Sequence, residues 1–420
     1  MSDERPTLGP QRVAVLTPSL TRLGGTEIYV QAALRALRAA GVGAWALTRD
    51  EPPADEPDAR CVGELLDDTL SRRLLPARRR AVRALARDVA AGAELALVHG
   101  TAPGDLIEAL GERLPVVLAV HTPILTCPAG SRFLPASGVP CTRAPGPGCL
   151  LVDAREGCLA TLEGRRFSRL GRLRAALRGP LSLRLARRVT GMIFNSYALQ
   201  RDFLRQVGAP RRSWVVRPPL VFAPGPPAGA RDPDRLLAIG RLVPFKGVGD
   251  AIAALGELPP TVELEVLGDG PELGALRRRA EAAGLRERVH FRGWCDHEQV
   301  AAALGRAGCL LVPSRCPEAF GQIGPQALAR GCPVVAYAVG GIPEWCSPEV
   351  GTLVPVGDVA GLARAVTAWR DRWAAGLDTA RWPVQAQARW GEPRFAREYV
   401  AAVRAASQQA AGASAEAGSG

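Results

Sequence analysis

The sequence predicts an α/β protein built from two doubly wound, Rossmann-like parallel-sheet domains that face each other across a cleft. Three observations support this fold class. A chain of 420 residues is too long for a domain with one ordinary hydrophobic core, and short apolar strands alternate with helical segments along it. A Pro- and Gly-rich stretch interrupts this alternation once. Strands that alternate with helices form parallel sheets covered on both faces. Hydrophobic residues at 47% and charged residues at 22% exclude disordered and fibrous classes.

The first domain is predicted at residues 1–220. Its first strand, RVAVLT, precedes turn-rich residues and then a segment with helical periodicity. The same order of strand, turn and helix recurs at AELALVHG and TGMIFNS, and PVVLAVH is a further strand candidate. Ligands of such sheets bind beyond the carboxyl ends of the strands, so we expect the chemistry in the loops that follow them.

A linker is predicted near residues 217–234, where prolines and glycines accumulate. The second domain then covers 221–380, with strand candidates LLAIGR, VELEVLGDG, RVHFRG, CLLVPS and PVVAY. Residues 381–405 are predicted to form a helix that packs back on the first domain. The small and polar residues 406–420 are predicted to be a disordered tail.

Charge and hydropathy predict a cytoplasmic protein whose ten cysteines are reduced. No apolar run reaches the about 18 residues that span a bilayer, and the first residues lack the apolar core of a secretory signal. The formal charge of +12 favours phosphates in a nucleotide, a nucleic acid or a membrane surface, without choosing among them. A general bias of composition toward Arg explains the charge equally well.

Two loops after strands could bind an anion. Gly24 and Gly25 lie between the first strand and the first helix, where backbone N–H groups can point at a phosphate. Arg241 and Lys246 in GRLVPFKG combine two positive charges with the start of a helix. The alternatives are a plain tight turn for the glycines and a solvated cationic pair for the other two residues.

A carboxylate marks a third loop of the same kind. Glu318 follows the strand CLLVPS and precedes the tight Phe320-Gly321 turn, where it could accept hydrogen bonds from sugar hydroxyls. The alternative is an acid that only favours the dipole of the next helix. VGGIPE, ending in Glu344, is another glycine turn after a strand.

The combination of motifs is more specific than any one of them. GGTE, GRLVPFKG, LEVLGDGPE, FRGW, PSRCPEAFGQIGPQALARGCPVVA and VGGIPE resemble, in order and approximate spacing, the retaining nucleotide-sugar-dependent glycosyltransferases of the GT-B fold known as family 4. The resemblance covers most of the second domain and scattered parts of the first. It implies a first domain that binds the acceptor and a second that binds the nucleotide sugar.

The resemblance implies roles for individual residues. Arg241 and Lys246 correspond to the pair that neutralises the donor diphosphate, and Glu318 to the first acid of a Glu-x7-Glu signature that contacts the donor sugar. His121 corresponds to a histidine beside the transferring sugar. The other residues implied in donor binding are Gly24, Gly25, Gly268, Gly293, Phe320, Gly321, Gln322 and Gln326.

Gln326 departs from the family, which usually has Glu at this position to hold the ribose hydroxyls. An amide still binds a hydroxyl but loses a charge-assisted bond, so we expect weakened or altered donor binding. The implied reaction transfers a sugar with its anomeric configuration kept, by attack on the face that the diphosphate leaves. It needs no metal or other cofactor for catalysis.

Four cysteines, Cys127, Cys141, Cys149 and Cys158, lie in a Gly- and Pro-rich insert at 127–158. They could hold a structural zinc ion or an iron–sulfur centre, which would order a segment that has little apolar burial. The spacing contains no Cys-x2-Cys pair, so unconnected thiols and disulfides stay open as alternatives.

Residues 165–188 carry many arginines and no acid. This segment could meet anionic lipid at the inner face of a membrane, or be a solvated helix face; a nucleic-acid partner is not expected, because aromatic residues are sparse. Two rivals to a glycosyltransferase are therefore a basic membrane-surface module and a GT-B protein that binds nucleotide or metal without turnover. The donor sugar and its base, the acceptor hydroxyl compound and the oligomeric state are not predicted.

Overall fold

A computed structural model describes residues 9–21, 24–66, 76–100, 103–159, 161–162, 165–166, 168–186, 188–208, 212–223, 225 and 231–417. Three predictions fall partly outside these ranges. They concern residues 224 and 226–230 of the linker, residues 167 and 187 of the basic segment, and residues 418–420 of the tail.

In its described residues the first domain contains a seven-stranded parallel sheet and two short hairpins. Its strands are β1 (Arg12–Thr17), β2 (Gly43–Thr48), β3 (Ala59–Cys61), β4 (Leu95–His99), β5 (Val116–Val120), β6 (Phe133–Leu134), β7 (Val139–Pro140), β8 (Thr161–Leu162), β9 (Arg165–Arg166), β10 (Gly191–Phe194) and β11 (Ser213–Val215). Its helices are α1 (Gly25–Ala39), α2 (Pro76–Gly92), α3 (Gly104–Gly111), α4 (Gly148–Glu156), α5 (Arg169–Ala186) and α6 (Tyr197–Val207). The sheet order is β11-β10-β5-β4-β1-β2-β3. β2 and β3 lie on one side of β1 and β4 lies on the other, so the switch point of this sheet is between β1 and β4.

The second domain contains a six-stranded parallel sheet within residues 231–417, all of them described. Its strands are β12 (Asp232–Ile239), β13 (Glu263–Leu267), β14 (Val289–Gly293), β15 (Ala307–Val312), β16 (Val334–Tyr337) and β17 (Gly351–Val354). Its helices are α7 (Val248–Leu255), α8 (Leu273–Ala282), α9 (His297–Arg306), α10 (Ile323–Leu328) and α11 (Val359–Ala374). The order β14-β13-β12-β15-β16-β17 is that of a dinucleotide-binding sheet, and its switch point lies between β12 and β15.

Both sheets are covered on two faces, as the sequence predicted. β4, β5 and β15 are buried at every position, because parallel strands covered by helices have no solvent face. The first domain has one apolar core on each face of its sheet, and the second domain has one large core that includes Trp345 and Trp369.

The C-terminal residues form two helices where the sequence predicted one. α12 (Trp382–Trp390) packs its two tryptophans into the core of the second domain, so the prediction that residues 381–390 pack on the first domain was wrong. Gly391 breaks the helix with an extended backbone, and α13 (Glu392–Ala417) then lies on α1. α13 continues to Ala417, well past residue 406, where a disordered tail was predicted to begin.

Candidate functional site

The candidate site lies between the two sheets, at the carboxyl ends of their strands. β12 leads to Arg241 and Lys246, and β15 leads to Glu318, so the three residues flank the switch point of the second sheet. His121 directly follows β5 of the first sheet. Ligands of open α/β sheets bind at such points, because the loops there diverge to opposite faces and leave a crevice.

A cavity of about 550 Å³ brings these four residues together. His121, Arg241, Lys246 and Glu318 all line it. One wall comes from the first domain, with Ile124 and with Phe133 of the insert, and another from Phe245 of the second domain. The rings of Phe133 and Phe245 meet edge to face with centroids 6.3 Å apart, so the cavity combines a charged side with an apolar one.

Lys246 and Glu318 form the central ion pair of the cavity. Lys246 Nζ donates to Glu318 Oε1 at 2.6 Å, and Ser314 Oγ donates to the same oxygen. Burial alone would raise the pKa of Glu318, but the positive charge of Lys246 outweighs it and the pKa is lowered. Burial likewise opposes the charge of Lys246, yet Glu318 raises its pKa. Both groups are therefore charged at neutral pH, which fixes the ammonium at the cavity wall.

Gly247 explains why the loop can place Lys246 there. Its φ of +70° ends the 3-10 turn Pro244–Lys246 and starts α7. A Cβ at Gly247 would collide with the carbonyl oxygen of Pro313, which precedes Ser314. Only glycine allows the β12 and β15 loops to approach this closely.

The resemblance implied a place for His121 beside the transferring sugar. In the structure its ring is buried and neutral, unlike the charged pair of Lys246 and Glu318. His121 is buried, and burial lowers its pKa to about 4, although Asn195 partly opposes the shift. Its Nε2 is 3.0 Å from Nδ1 of the buried His99. Its Nδ1 is buried too and has no hydrogen bond of normal geometry within the described part of the chain. His121 is thus a neutral wall residue and not a proton carrier near pH 7.

Gly24 and Gly25 lie at the opposite lobe. Gly24 caps α1 with an extended backbone, and α1 begins at Gly25. A Cβ at Gly25 would come within 2.7 Å of Gln322 Oε1 in the second domain, and Gln322 Nε2 donates to the Pro219 carbonyl oxygen. Gly25 and Gln322 therefore form a contact between the lobes.

Five other predicted residues support the loops around the cavity, and none of them is among the described residues that line it. Phe320 is buried, and its carbonyl oxygen accepts a hydrogen bond from Trp345 Nε1 at 2.6 Å. Gly321 continues the chain at a φ of +76°. Gly268 N donates to the Gly293 carbonyl oxygen at 2.7 Å at the ends of β13 and β14. Gln326 is buried within α10.

The four cysteines of the insert meet at a second cavity of about 300 Å³. Cys127, Cys141, Cys149 and Cys158 all line it, which fits the expectation that they cluster. Burial raises the pKa of Cys127 and raises that of Cys158 to about 12, so both are neutral thiols. No three Cys, His, Asp or Glu side chains of the described residues are arranged to hold a metal ion. The zinc or iron–sulfur centre stays a prediction, which metal analysis of the purified protein would test.

The basic segment contributes α5 and β9, which pairs with β8 in a hairpin. Leu170, Leu173 and Leu177 of α5 are exposed, as is Leu151 of α4, which packs on α5. Among the helices that the structure describes, none has the length and apolarity to cross a bilayer. A peripheral membrane contact stays a prediction.

Sequence reasoning missed several residues of the site. Ser314, Phe133 and Phe245 could have been found, because each lies in or beside a motif that was already identified. Glu272 also lines the cavity, and burial raises its pKa. Glu344 was noted only as part of a glycine turn. Its Oε1 accepts a hydrogen bond from Ala198 N of the first domain at 2.7 Å.

Curated proteins match part of the chain. The 2-deoxystreptamine N-acetyl-D-glucosaminyltransferase of Streptomyces fradiae is 37% identical over 133 residues, which are 30% of this chain and 31% of that protein. The glycogen synthase of Mycobacterium tuberculosis is 37% identical over 153 residues, 36% of this chain and 37% of that protein. The matches thus span about a third of the length of these relatives.

Solved structures match nearly the whole fold. Anabaena Alr3699/HepE, in complex with UDP and glucose, superposes with a TM-score of 0.66 over 93% of this chain and 98% of its own, at 18% identity. The sucrose-phosphate synthase of Thermosynechococcus elongatus superposes with a TM-score of 0.62 over 97% of this chain and 100% of its own, at 22% identity. At these identities the likeness establishes the fold.

Family models cover both lobes in turn. Residues 23–223 match the model described as Glycosyltransferase Family 4, and residues 227–376 match Glycosyl transferases group 1. Together the two models cover more than half of the chain, with their boundary in the predicted linker. The chain therefore belongs to the family 4 glycosyltransferases and has their GT-B fold.

Proposed function

We propose that this protein is a retaining glycosyltransferase that moves a sugar from a nucleoside diphosphate to an acceptor hydroxyl. The observation that carries the proposal is the convergence of Arg241, Lys246, Glu318 and His121 on one cavity between the lobes, at the switch point of the second sheet. Family membership supports the reaction class, and similarity to a protein crystallised with UDP and glucose supports a nucleoside diphosphate donor.

The charges of the cavity suit the bond changes of this reaction. The bond between the sugar C1 and the diphosphate oxygen breaks, and a bond between C1 and the acceptor oxygen forms. Negative charge grows on the departing diphosphate, so Lys246 and Arg241 stabilise the transition state more than the ground state. The leaving diphosphate oxygen takes the proton of the acceptor hydroxyl, which keeps atoms and charge balanced without a protein base.

Glu318 has two roles in this proposal. Its carboxylate holds Lys246 in place before a donor binds, through the bond at 2.6 Å. Its second oxygen is then an acceptor for hydroxyl groups of the donor sugar. As the family resemblance implies, the retaining reaction in this proposal proceeds by same-face attack, without a covalent glycosyl-enzyme at Glu318.

The donor pocket is expected in the second domain and the acceptor in the first. The apolar wall of Phe133, Ile124 and Phe245 lies where the lobes meet. Aromatic walls bind the apolar faces of sugars and of ring systems alike, so a glycan, a lipid-linked sugar or a small natural product each fits.

Incubation with a panel of nucleoside diphosphate sugars tests the proposal. Release of nucleoside diphosphate, by transfer or by slow hydrolysis, is the expected result, and the anomeric configuration of the product by NMR tests retention. Nucleotide binding without release from any donor would instead support the non-catalytic alternative. An inverted product would overturn the retaining mechanism and leave the transferase in place.

A further inference from the structure

A buried hydrogen-bonded chain connects the cavity wall to the C-terminal helix. His99 ends β4 and pairs in register with Ala119 of β5, two residues before His121. His99 Nδ1 is 3.0 Å from His121 Nε2, and His99 Nε2 is 2.9 Å from the hydroxyl of Tyr399 on α13. His99 and Tyr399 are both fully buried, and His121 is 5% exposed.

Burial decides the protonation of the chain. It lowers the pKa of His99 and of His121, so each ring is neutral and carries one N–H at neutral pH. Burial also raises the pKa of Tyr399, which keeps its proton. Every hydrogen bond of the chain therefore has one donor and one acceptor, and all of them must run in the same direction.

The tyrosine end determines this direction. Within the described residues, His99 is the hydrogen-bond partner of the Tyr399 hydroxyl. The hydroxyl therefore donates to His99 Nε2, and His99 Nδ1–H donates to His121 Nε2. The proton of His121 is then on Nδ1. The reverse direction would leave the buried hydroxyl hydrogen without an acceptor, at a cost of about 1–3 kcal/mol.

The other end of the chain favours the same tautomer. His121 Nδ1 and Asn195 Oδ1 are both buried, and neither has a hydrogen bond of normal geometry among the described residues. Asn195 nevertheless acts on His121 as a hydrogen-bonding neighbour that raises its pKa. Of the two neutral tautomers, only the one with an N–H at Nδ1 can offer a donor to this acceptor from that nitrogen.

We propose that Tyr399 and His99 are positioning residues that hold His121 as the Nδ1–H tautomer, with both ring nitrogens turned into the protein. The ring of His121 then forms a fixed wall of the cavity. What the cavity holds rests on the proposed function, but the tautomer does not. α13 would thus act on the cavity wall through His99, which is 300 residues from Tyr399 in sequence.

Nitrogen-15 NMR of histidine-labelled protein tests the tautomer directly. The chain contains four histidines, so the signals can be assigned by substitution. In the wild type, His121 should show a protonated Nδ1 and an unprotonated Nε2. In Tyr399→Phe, His99 Nε2 loses its donor, so His121 should shift toward the Nε2–H form. Tyr29→Phe is the matched control, because the Tyr29 ring lies 4.7 Å from that of His121 while its hydroxyl donates to the Val216 carbonyl oxygen.

A wild-type His121 that is protonated on Nε2, or a Tyr399→Phe spectrum identical to the wild type, would overturn the proposal. If Tyr399→Phe does not fold, the tautomer of His121 in the wild type is sufficient to test the proposal. Kinetics add a second readout: Tyr399→Phe should lower kcat on the order of tenfold with the KM for donor unchanged, and Tyr29→Phe should change neither. Absence of turnover in every protein would count against the proposed function, while the NMR result would still decide this inference.

Discussion

Lys246 is the residue whose loss should affect catalysis most. Lys246→Ala removes the ammonium that, in the proposed function, faces the departing diphosphate, and loss of one such group costs roughly 10²- to 10³-fold in kcat. Released nucleotide measured under saturating donor gives this value. Ser314→Ala is the control, since it removes a bond to the same Glu318 oxygen but no charge. Unchanged turnover in Lys246→Ala would refute the role of Lys246.

The ion pair also predicts how stability depends on pH. The folded pKa of Glu318 is below its ordinary 4.5, so the carboxylate stabilises the fold above pH 4.5 and loses this contribution as pH falls through the lowered folded value. The folded pKa of Lys246 is above 10.5, so its contribution is present below that pH and is lost as pH rises beyond it. Glu318→Gln should therefore destabilise most between these limits, as measured by urea unfolding across pH. If the unfolding free energies of Glu318→Gln and the wild type differed by the same amount at pH 3 and at pH 7, this prediction would be contradicted.

Gln326 tests how this chain differs from its relatives. It is 7% exposed, so Gln326→Glu buries a carboxylate and should lower the Tm of the free protein. If the position faces the ribose, the carboxylate gains charge-assisted bonds to its hydroxyls, and UDP should bind about tenfold more tightly by calorimetry. Weaker binding would mean that the pocket is built around the amide.

In the loop between β12 and α7, replacement of Gly247 should lower the free energy of unfolding by more than its positive φ alone explains. Gly247→Ala meets both a φ of +70° and the carbonyl oxygen of Pro313, so the β12 and β15 loops must separate and displace Lys246. Gly284 has a φ of +68° and open space at its Cβ position, which makes Gly284→Ala the matched control. We expect a cost of about 1–2 kcal/mol for Gly284→Ala and a larger one for Gly247→Ala, together with lost donor binding. Equal unfolding free energies in the two variants would contradict the collision.

The elements that could be predicted are those defined by local pattern. Buried strands such as β5 are apolar runs, and Gly25 and Gly247 are recognisable between a strand and a helix. Gly391 after Trp390 was a visible stop signal that should have divided the C-terminal helix. His99 also left a signal, since it ends a strand beside the one that His121 directly follows. Tyr399 left none, because its place depends on the packing of α13 against α1.

Across the whole molecule, Glu344 joins the two domains at the site. Its carboxylate meets the N-terminus of α6 through Ala198 N, where the helix dipole favours negative charge, and lies 3.5 Å from Arg217. The side chains of Glu344 and Arg217 are only 12% and 22% exposed, so salt screens this contact less than a surface pair. The contact between the two domains thus depends in part on one carboxylate.

Glu344→Gln keeps the size of the side chain and removes the charge that binds α6. We expect the lobes to separate more often, so the radius of gyration by small-angle X-ray scattering should rise in the free protein. If a nucleoside diphosphate sugar binds in the cavity, which residues of both lobes line, it should reverse the change. Glu392→Gln is the control, since its ion pair with Arg35 is about half exposed and joins α13 to α1 within one lobe. If Glu344→Gln and the wild type scatter identically without ligand, the carboxylate does not hold the domains together, and other contacts between the lobes, such as that of Phe133 with Phe245, hold them instead.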